Sequence, residues 1–154
     1  MEKNEASQKK SNLGIFIEVQ RRIKEVKLPP TELIKCWASE VIRNNANIVI
    51  RIVDETEGEQ LNKRFRGIAH ATNVLSFCYN SADPLEGDIA ICYPIIVNEA
   101  REQKKSVEEH LAHMVVHGIL HLQGFRHDND KEAEEMEKLE IESMKNFGFG
   151  DPYV

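Results

Sequence analysis

Residues 106–127 read SVEEHLAHMVVHGILHLQGFRH and carry five of the chain's six histidines. Ser106 followed three residues later by Glu109 is a capping box, so the segment predicts an apolar helix from Ser106 to Gln123. His117 and His121, four residues apart, then share one helix face about 6 Å apart along the axis, a spacing at which two imidazoles reach one metal ion. His110 and His113 do not extend that pair. With His113 included, three ligands would spread over roughly 12 Å of helix, whereas nitrogens bound to one zinc at about 2 Å must lie within a few Å of one another. Both are therefore read as ordinary helix residues. Gly124 can take a left-handed conformation and reverse the chain, which brings His127 back towards the pair. The pattern is H-x-x-x-H-x-x-G-x-x-H at the end of a central helix.

Outward from this segment the periodicity changes several times. A last amphipathic helix is expected from about Asp130 to Phe147, with Met136, Leu139 and Met144 inward and Gly148 as its stop. Upstream, Pro94 to Gln103 reads as helix, and residues 87–93 (GDIAICY) and 73–79 (NVLSFCY) as strands separated by the turn-rich NSADP. Thr56 and Glu59 form a second capping box, with Leu61, Phe65 and Ile68 at helical spacing and Gly67 as terminator. Residues 47–54 (NIVIRIVD) alternate as a strand, Thr31 opens a helix to about Arg43 behind Pro29-Pro30, and Ile15 to Val19 is β-prone. The order β, α, β, α, β, β, α, α, α predicts an α+β fold: a small mixed sheet of about four strands covered by helices.

A length of 154 residues suits one domain, here residues 13–154 behind a disordered tail over residues 1–12. Hydrophobic residues make up 41% and charged residues 30%, an ordinary globular composition. No stretch approaches the roughly 20 apolar residues of a bilayer span and the start is too polar for a secretory signal, so a cytoplasmic protein without a membrane partner is expected. Cys36, Cys78 and Cys92 form neither a disulfide framework nor a zinc motif and are expected as small core residues. A net charge of −6 argues against non-specific coating of nucleic acid while leaving room for a local basic cleft. Residues 128–142 hold eight acidic side chains against Lys131 and Lys138 and read as a solvated face, whereas residues 1–27 hold seven basic and four acidic.

Three neutral imidazoles plus one water make an open coordination sphere, the arrangement of catalytic rather than structural zinc. One Zn2+ per chain is the expected cofactor, although three nitrogen ligands also accept nickel, cobalt or copper. The pattern resembles the metzincin signature H-E-x-x-H-x-x-G-x-x-H, but the general-base glutamate is replaced by Gly118. The glycine speaks against peptide hydrolysis and serves either to widen the metal site or to let the helix pack closely.

The stretches H-G-I-L-H-L-Q-G-F-R-H at 117–127, L-N-K-R-F-R-G at 61–67, T-N-V-L-S-F at 72–77 and G-D-I-A-I at 87–91 resemble, in order, the YbeY family of bacterial endoribonucleases. A-H-M-V-V-H-G at 112–118, E-A-E-E-M-E-K-L-E at 132–140 and D-P-Y at 151–153 extend the likeness over nearly everything after the first dozen residues. The resemblance implies a metal-dependent, single-strand-specific endoribonuclease of the bacterial cytosol. Its expected work is ribosomal RNA processing, maturation of the 16S RNA 3′ end and ribosome quality control. Its expected partners are ribosomal RNA, ribosomal particles and protein adaptors on them. Two positions depart from the family pattern. Arg126 stands where an Asp usually precedes the third histidine, leaving Asp128 as the nearest carboxylate, and Cys78 stands where a Pro usually follows the S-F pair.

Arg66 matches the arginine of the family's L-N-x-x-[YF]-R-G motif, and a guanidinium can grip two phosphate oxygens at once. Arg66 and His117 are thus the expected catalytic residues, with His117, His121 and His127 as metal ligands. Lys63 and Arg64 either widen a basic rim or are plain solvated charges. Asp88 either orients a metal-bound imidazole or caps a turn after Gly87. Ser76 lines the cleft or is a strand residue without a role. The rival readings are a ribosome-assembly factor with a structural metal and no nuclease activity, and a metalloprotease.

Overall fold

The computed structural model describes residues 14–24 and 26–154. The tail expected over residues 1–12 lies outside the described residues. Four strands, β1 (Ile15–Arg21), β2 (Ala46–Val53), β3 (Val74–Asn80) and β4 (Leu85–Cys92), and five helices, α1 (Thr31–Glu40), α2 (Glu55–Arg66), α3 (Tyr93–Gln103), α4 (Val107–Leu122) and α5 (Asp130–Asn146), follow the predicted order. The sheet runs β1-β2-β4-β3, with β1, β2 and β4 parallel and β3 antiparallel to β4 at the edge. This is the mixed α+β sheet that the alternation of periods implied.

The core lies between the sheet and α4. Ile48, Ile50 and Ile52 of β2 alternate inward, as do Ile89 and Ile91 of β4, and all five are buried. Eleven of the sixteen residues of α4 are buried, which makes it a central helix rather than a surface one. Gly118 settles how it sits: a Cβ there would stand 3.1 Å from two Ile89 carbons and 3.4 Å from Val74. The glycine therefore serves close packing of α4 on β4 and β3, and it does not widen the metal site. Gly87 is tighter still, since an added Cβ would meet Leu122 at 2.7 Å and the Phe77 carbonyl at 2.8 Å.

Several boundaries differ from expectation. Helix α1 stops at Glu40 rather than about Arg43, because Val41 and Ile42 turn into the core. The capping box at Thr56 does not form. Asp54 caps α2 instead, its carboxylate accepting from the Glu57 N–H at 2.8 Å, so the strand-ending aspartate also opens the helix. Ser106 caps α4 as predicted, accepting from the Glu109 N–H at 3.0 Å. Of the cysteines only Cys92 is buried. Cys36 faces outward between the buried Ile34 and Trp37, and Cys78 lies exposed on edge strand β3, where the register with β4 shifts between Cys78 and Asn80. No helix among the described residues is long and apolar enough to cross a membrane.

Candidate metal centre

The C-terminal turn of α4 and the loop after it bring three of the predicted residues together. His117 and His121 lie on one face of α4, their Nε2 atoms 3.0 Å apart. Gly124, at φ +97°, reverses the chain as its position suggested, with its N–H donating to the His121 carbonyl at 3.0 Å. His127 returns beside the pair, its ring centroid 4.9 Å from that of His117 and 5.0 Å from that of His121. One ring nitrogen from each of the three lies within 4.8 Å of the others. Two nitrogens bound at about 2.1 Å to one tetrahedral ion stand about 3.4 Å apart, so small movements would bring this set onto a shared ion.

The protonation chemistry also fits. Burial pushes the His121 imidazole down to about 4, helped by the neighbouring His117, His127 and Arg126, so it is neutral and offers a lone pair at neutral pH. His117 is held from behind by Glu140 of α5, whose Oε1 lies 3.1 Å from His117 Nδ1. Glu140 is fully buried. Burial alone would raise its pKa, but hydrogen bonds from His113, His117 and Tyr153 outweigh that and hold it down to about 2. An ionised carboxylate only accepts, so Nδ1 of His117 carries the proton and Nε2 keeps its lone pair free for a metal.

The other two histidines of α4 are buried and face carboxylates. His110 Nε2 lies 2.9 Å from Glu99 Oε1 of α3, and His113 Nε2 contacts Glu140 Oε2, which also accepts from the Tyr153 hydroxyl. Glu140, His113 and His117 are close enough to form a second candidate metal group. Because Glu140 is bonded to both rings and to Tyr153, we read it as the support of the outer group. It lies inside the segment read as a solvated acidic face, which it corrects. Its signal was present: Met136, Glu140 and Met144 recur every four residues on α5, and a carboxylate on a buried stripe asks for partners.

Arg66 ends α2 just before Gly67, whose left-handed φ of +70° closes the helix, and Asn62 anchors the following loop by donating to the His70 carbonyl at 2.7 Å. This placement puts Arg66 in a cleft of about 590 Å3 together with His117, His121 and Arg126. Phe65, Phe77, Asn73 and Ser76 also line it, and among the described residues no acidic side chain does. In a chain of net charge −6, the cleft is a local island of two guanidinium groups. Ser76 donates to the Gly118 carbonyl at 3.3 Å, tying β3 to α4. Asp88 plays no part in orienting an imidazole: it points to the opposite face of the sheet and accepts from the Tyr79 hydroxyl at 2.6 Å. Lys63 and Arg64 are exposed, with Arg64 stacked 5.3 Å over Phe65.

Known proteins share this arrangement of sequence. A Cupriavidus necator protein called Endoribonuclease YbeY is 46% identical over 145 residues, covering 91% of this chain and 73% of that protein. A protein of the same name from Cupriavidus metallidurans is 50% identical, and the match covers 82% of this chain and 65% of its own. A third, from Aromatoleum aromaticum, is 43% identical over 91% of this chain and 93% of its own length. A solution structure from Thermotoga maritima matches with a TM-score of 0.55 and 27% identity, covering 86% of this chain and 92% of that one. The family model described as Endoribonuclease YbeY matches residues 8–148, so the histidine helix, the arginine of α2 and the sheet between them all fall within it, and the chain belongs to the YbeY endoribonuclease family.

Proposed function

We propose that this chain is a metal-dependent endoribonuclease that cuts single-stranded segments of ribosomal RNA in the cytoplasm, acting in 16S RNA 3′-end maturation and in ribosome quality control. The observation that carries this reading is the meeting of three imidazoles, two of which line a cleft together with two arginines and, among the described residues, no acidic side chain. A cleft of that character suits a phosphodiester, because the substrate's charge is opposite to that of the lining. The relatives from Cupriavidus necator and Aromatoleum aromaticum are likewise called endoribonucleases.

His117, His121 and His127 would hold the ion, and an all-imidazole set suits Zn2+. When bound, such an ion supplies Lewis-acid polarisation of a phosphoryl oxygen and acidifies water. Glu140 holds the His117 ring in the metal-binding tautomer. Arg66 grips the phosphate and stabilises charge that develops on its oxygens. Arg126 adds a second positive charge in place of the family's Asp. Unpaired bases suit the cleft because Phe65 and Phe77 meet them as apolar walls. Ribosomal particles and protein adaptors would present the RNA end, since few phosphates are neutralised by the chain alone.

The test is cleavage of ribosomal RNA by purified, zinc-loaded protein, with and without chelator, beside His117→Ala and Arg66→Ala. Cleavage lost in all three controls is expected. Binding should weaken only gently with salt, since each phosphate contact contributes a slope of about 0.7 in log units and about two to four contacts are expected. A zinc-loaded preparation that binds ribosomal particles and never cuts their RNA would replace this reading with that of an assembly factor.

A further inference from the structure

Leu61 and Phe65 of α2 border a second hollow on the outer side of the sheet. Phe65 sits at helical spacing from Leu61, where a buried residue is expected, yet it is 54% exposed, and Tyr79 of β3 is 68% exposed. Between them lies a groove of about 230 Å3, whose lining also includes Arg51, Arg64, Phe77 and Asp88. Phe65 and Phe77 pack ring to ring at 4.9 Å and 57°, and both also line the cleft that holds His117 and His121. The two hollows thus share an aromatic wall, and a strand lying in the cleft can continue over it. Arg64 already stacks on Phe65, which extends the platform with a guanidinium plane. Asp88 is engaged by the Tyr79 hydroxyl, which blunts the one carboxylate that lines the groove among the described residues.

We infer that this groove seats unpaired bases of the same RNA strand, next to the nucleotide at the metal centre. The inference rests on the ribonuclease reading and extends it to a binding site on the other face of the sheet. Base stacking on aromatic and guanidinium planes is the chemistry by which single-stranded nucleic acid is held without regard to sequence. A second copy of the chain is a poorer occupant. Two partly exposed rings offer roughly 200–300 Å2, well short of the roughly 800 Å2 per partner that a stable protein interface buries.

The test uses the full chain with chelator present, so that binding is read without cutting. Affinity for a single-stranded RNA of about ten nucleotides is compared with that for a trinucleotide. Wild type should prefer the longer strand. Tyr79→Ala should weaken binding of the longer strand about 5- to 150-fold while costing the trinucleotide less, so that the length preference shrinks. Tyr79→Phe should recover most of that loss, because it restores the ring. The site is exposed, and thermal unfolding checks that the variants fold. A length preference that survives in Tyr79→Ala, or equal loss for both lengths, overturns the groove, as does a dimer of the free protein that Tyr79→Ala dissociates. A wild type that binds the longer strand through these rings and never cuts it with any divalent ion would sink the ribonuclease reading and leave the groove standing. One that cuts RNA with no dependence on length or on these rings would do the reverse.

Discussion

Two pairs of histidines share helix α4 and meet opposite fates. His110 and His113, towards its N-terminal end, are buried, and each has Nε2 against a carboxylate, Glu99 or Glu140. His117 and His121, one and two turns further on, reach the cleft, and their Nε2 atoms face each other. Residue type and helix are the same in both pairs. What differs is which ring nitrogen meets a carboxylate: Glu140 bonds His113 through Nε2 but His117 through Nδ1, and only the second arrangement leaves the distal nitrogen for a ligand. A histidine-rich helix is therefore sorted, by the acidic residues that pack behind it, into a half whose Nε2 atoms are held by carboxylates and a half whose Nε2 atoms face the cleft.

The sharpest way to break this comparison is to remove one histidine from each half. His117→Ala or His121→Ala should lower metal affinity more than about 100-fold, beyond the range expected for a supporting residue. His110→Gln should keep its metal, as measured by metal analysis after dialysis. Equal metal loss from both halves would erase the distinction.

Acid should reveal the supporting carboxylate next. Glu140 titrates at about 2 in the fold against an ordinary value of 4.5. A depressed carboxylate contributes stability that is complete above the ordinary value and lost as pH falls towards the folded one. In the metal-free protein about 3 kcal/mol should disappear between about pH 4.5 and 2, read by urea unfolding. His121, lowered from 6.5 to about 4, adds a loss of the same sign at higher pH, because its buried neutral form must charge. Glu140→Gln should flatten only the lower window. A variant with an unchanged acid profile would show that the carboxylate is not the titrating group.

Metal affinity itself should fall about 10- to 100-fold in Glu140→Gln, since the amide holds the His117 ring less firmly than a carboxylate. A cobalt-substituted sample makes the effect visible as an altered absorption band as well as weaker binding. Tyr153→Phe, one bond further out, should have a smaller effect in the same direction. The smallest change is expected at the carboxylate-held half, where His110→Gln should cost about 1–2 kcal/mol of stability through its bond to Glu99. Loss of metal binding in that variant with stability intact would invert the comparison.

What could be read in the sequence was what neighbouring residues decide. Ser106 three residues before Glu109 predicts its own cap, and Gly124 predicts its own reversal, because both signals act within a few residues. The order of strands and helices along the chain follows from alternating isoleucines, helical spacing and short turns, whereas the order of strands within the sheet does not. Distant pairings were harder to read. Glu140 meets His117 and His113 across 23 and 27 residues, and no local pattern names a carboxylate's partner at that range. Asp88 looked equally able to serve the metal, yet strand parity sends it to the outer face with Tyr79. Asp54 displaced Thr56 as the cap of α2 because the strand ends one residue before it, a boundary that helix periodicity alone does not locate. Gly118 was legible as an adverse sign for proteolysis, but its tight approach to Ile89 appears only when sheet and helix are placed together.

The parallel pairing of β1, β2 and β4 has a consequence for synthesis. All four strands are complete at Cys92, whereas α4, the helix packed on the inner face of β3 and β4, begins at Val107. At a translation rate of roughly 5–20 residues per second, the isoleucine face of β2 and β4 stays uncovered for about one to a few seconds before α4 can dock. The nascent chain in that interval offers an apolar sheet to any chaperone within reach. Chains arrested once Cys92 has cleared the exit tunnel but α4 has not should accordingly be captured by a ribosome-bound chaperone far more than chains arrested once α4 has cleared it as well.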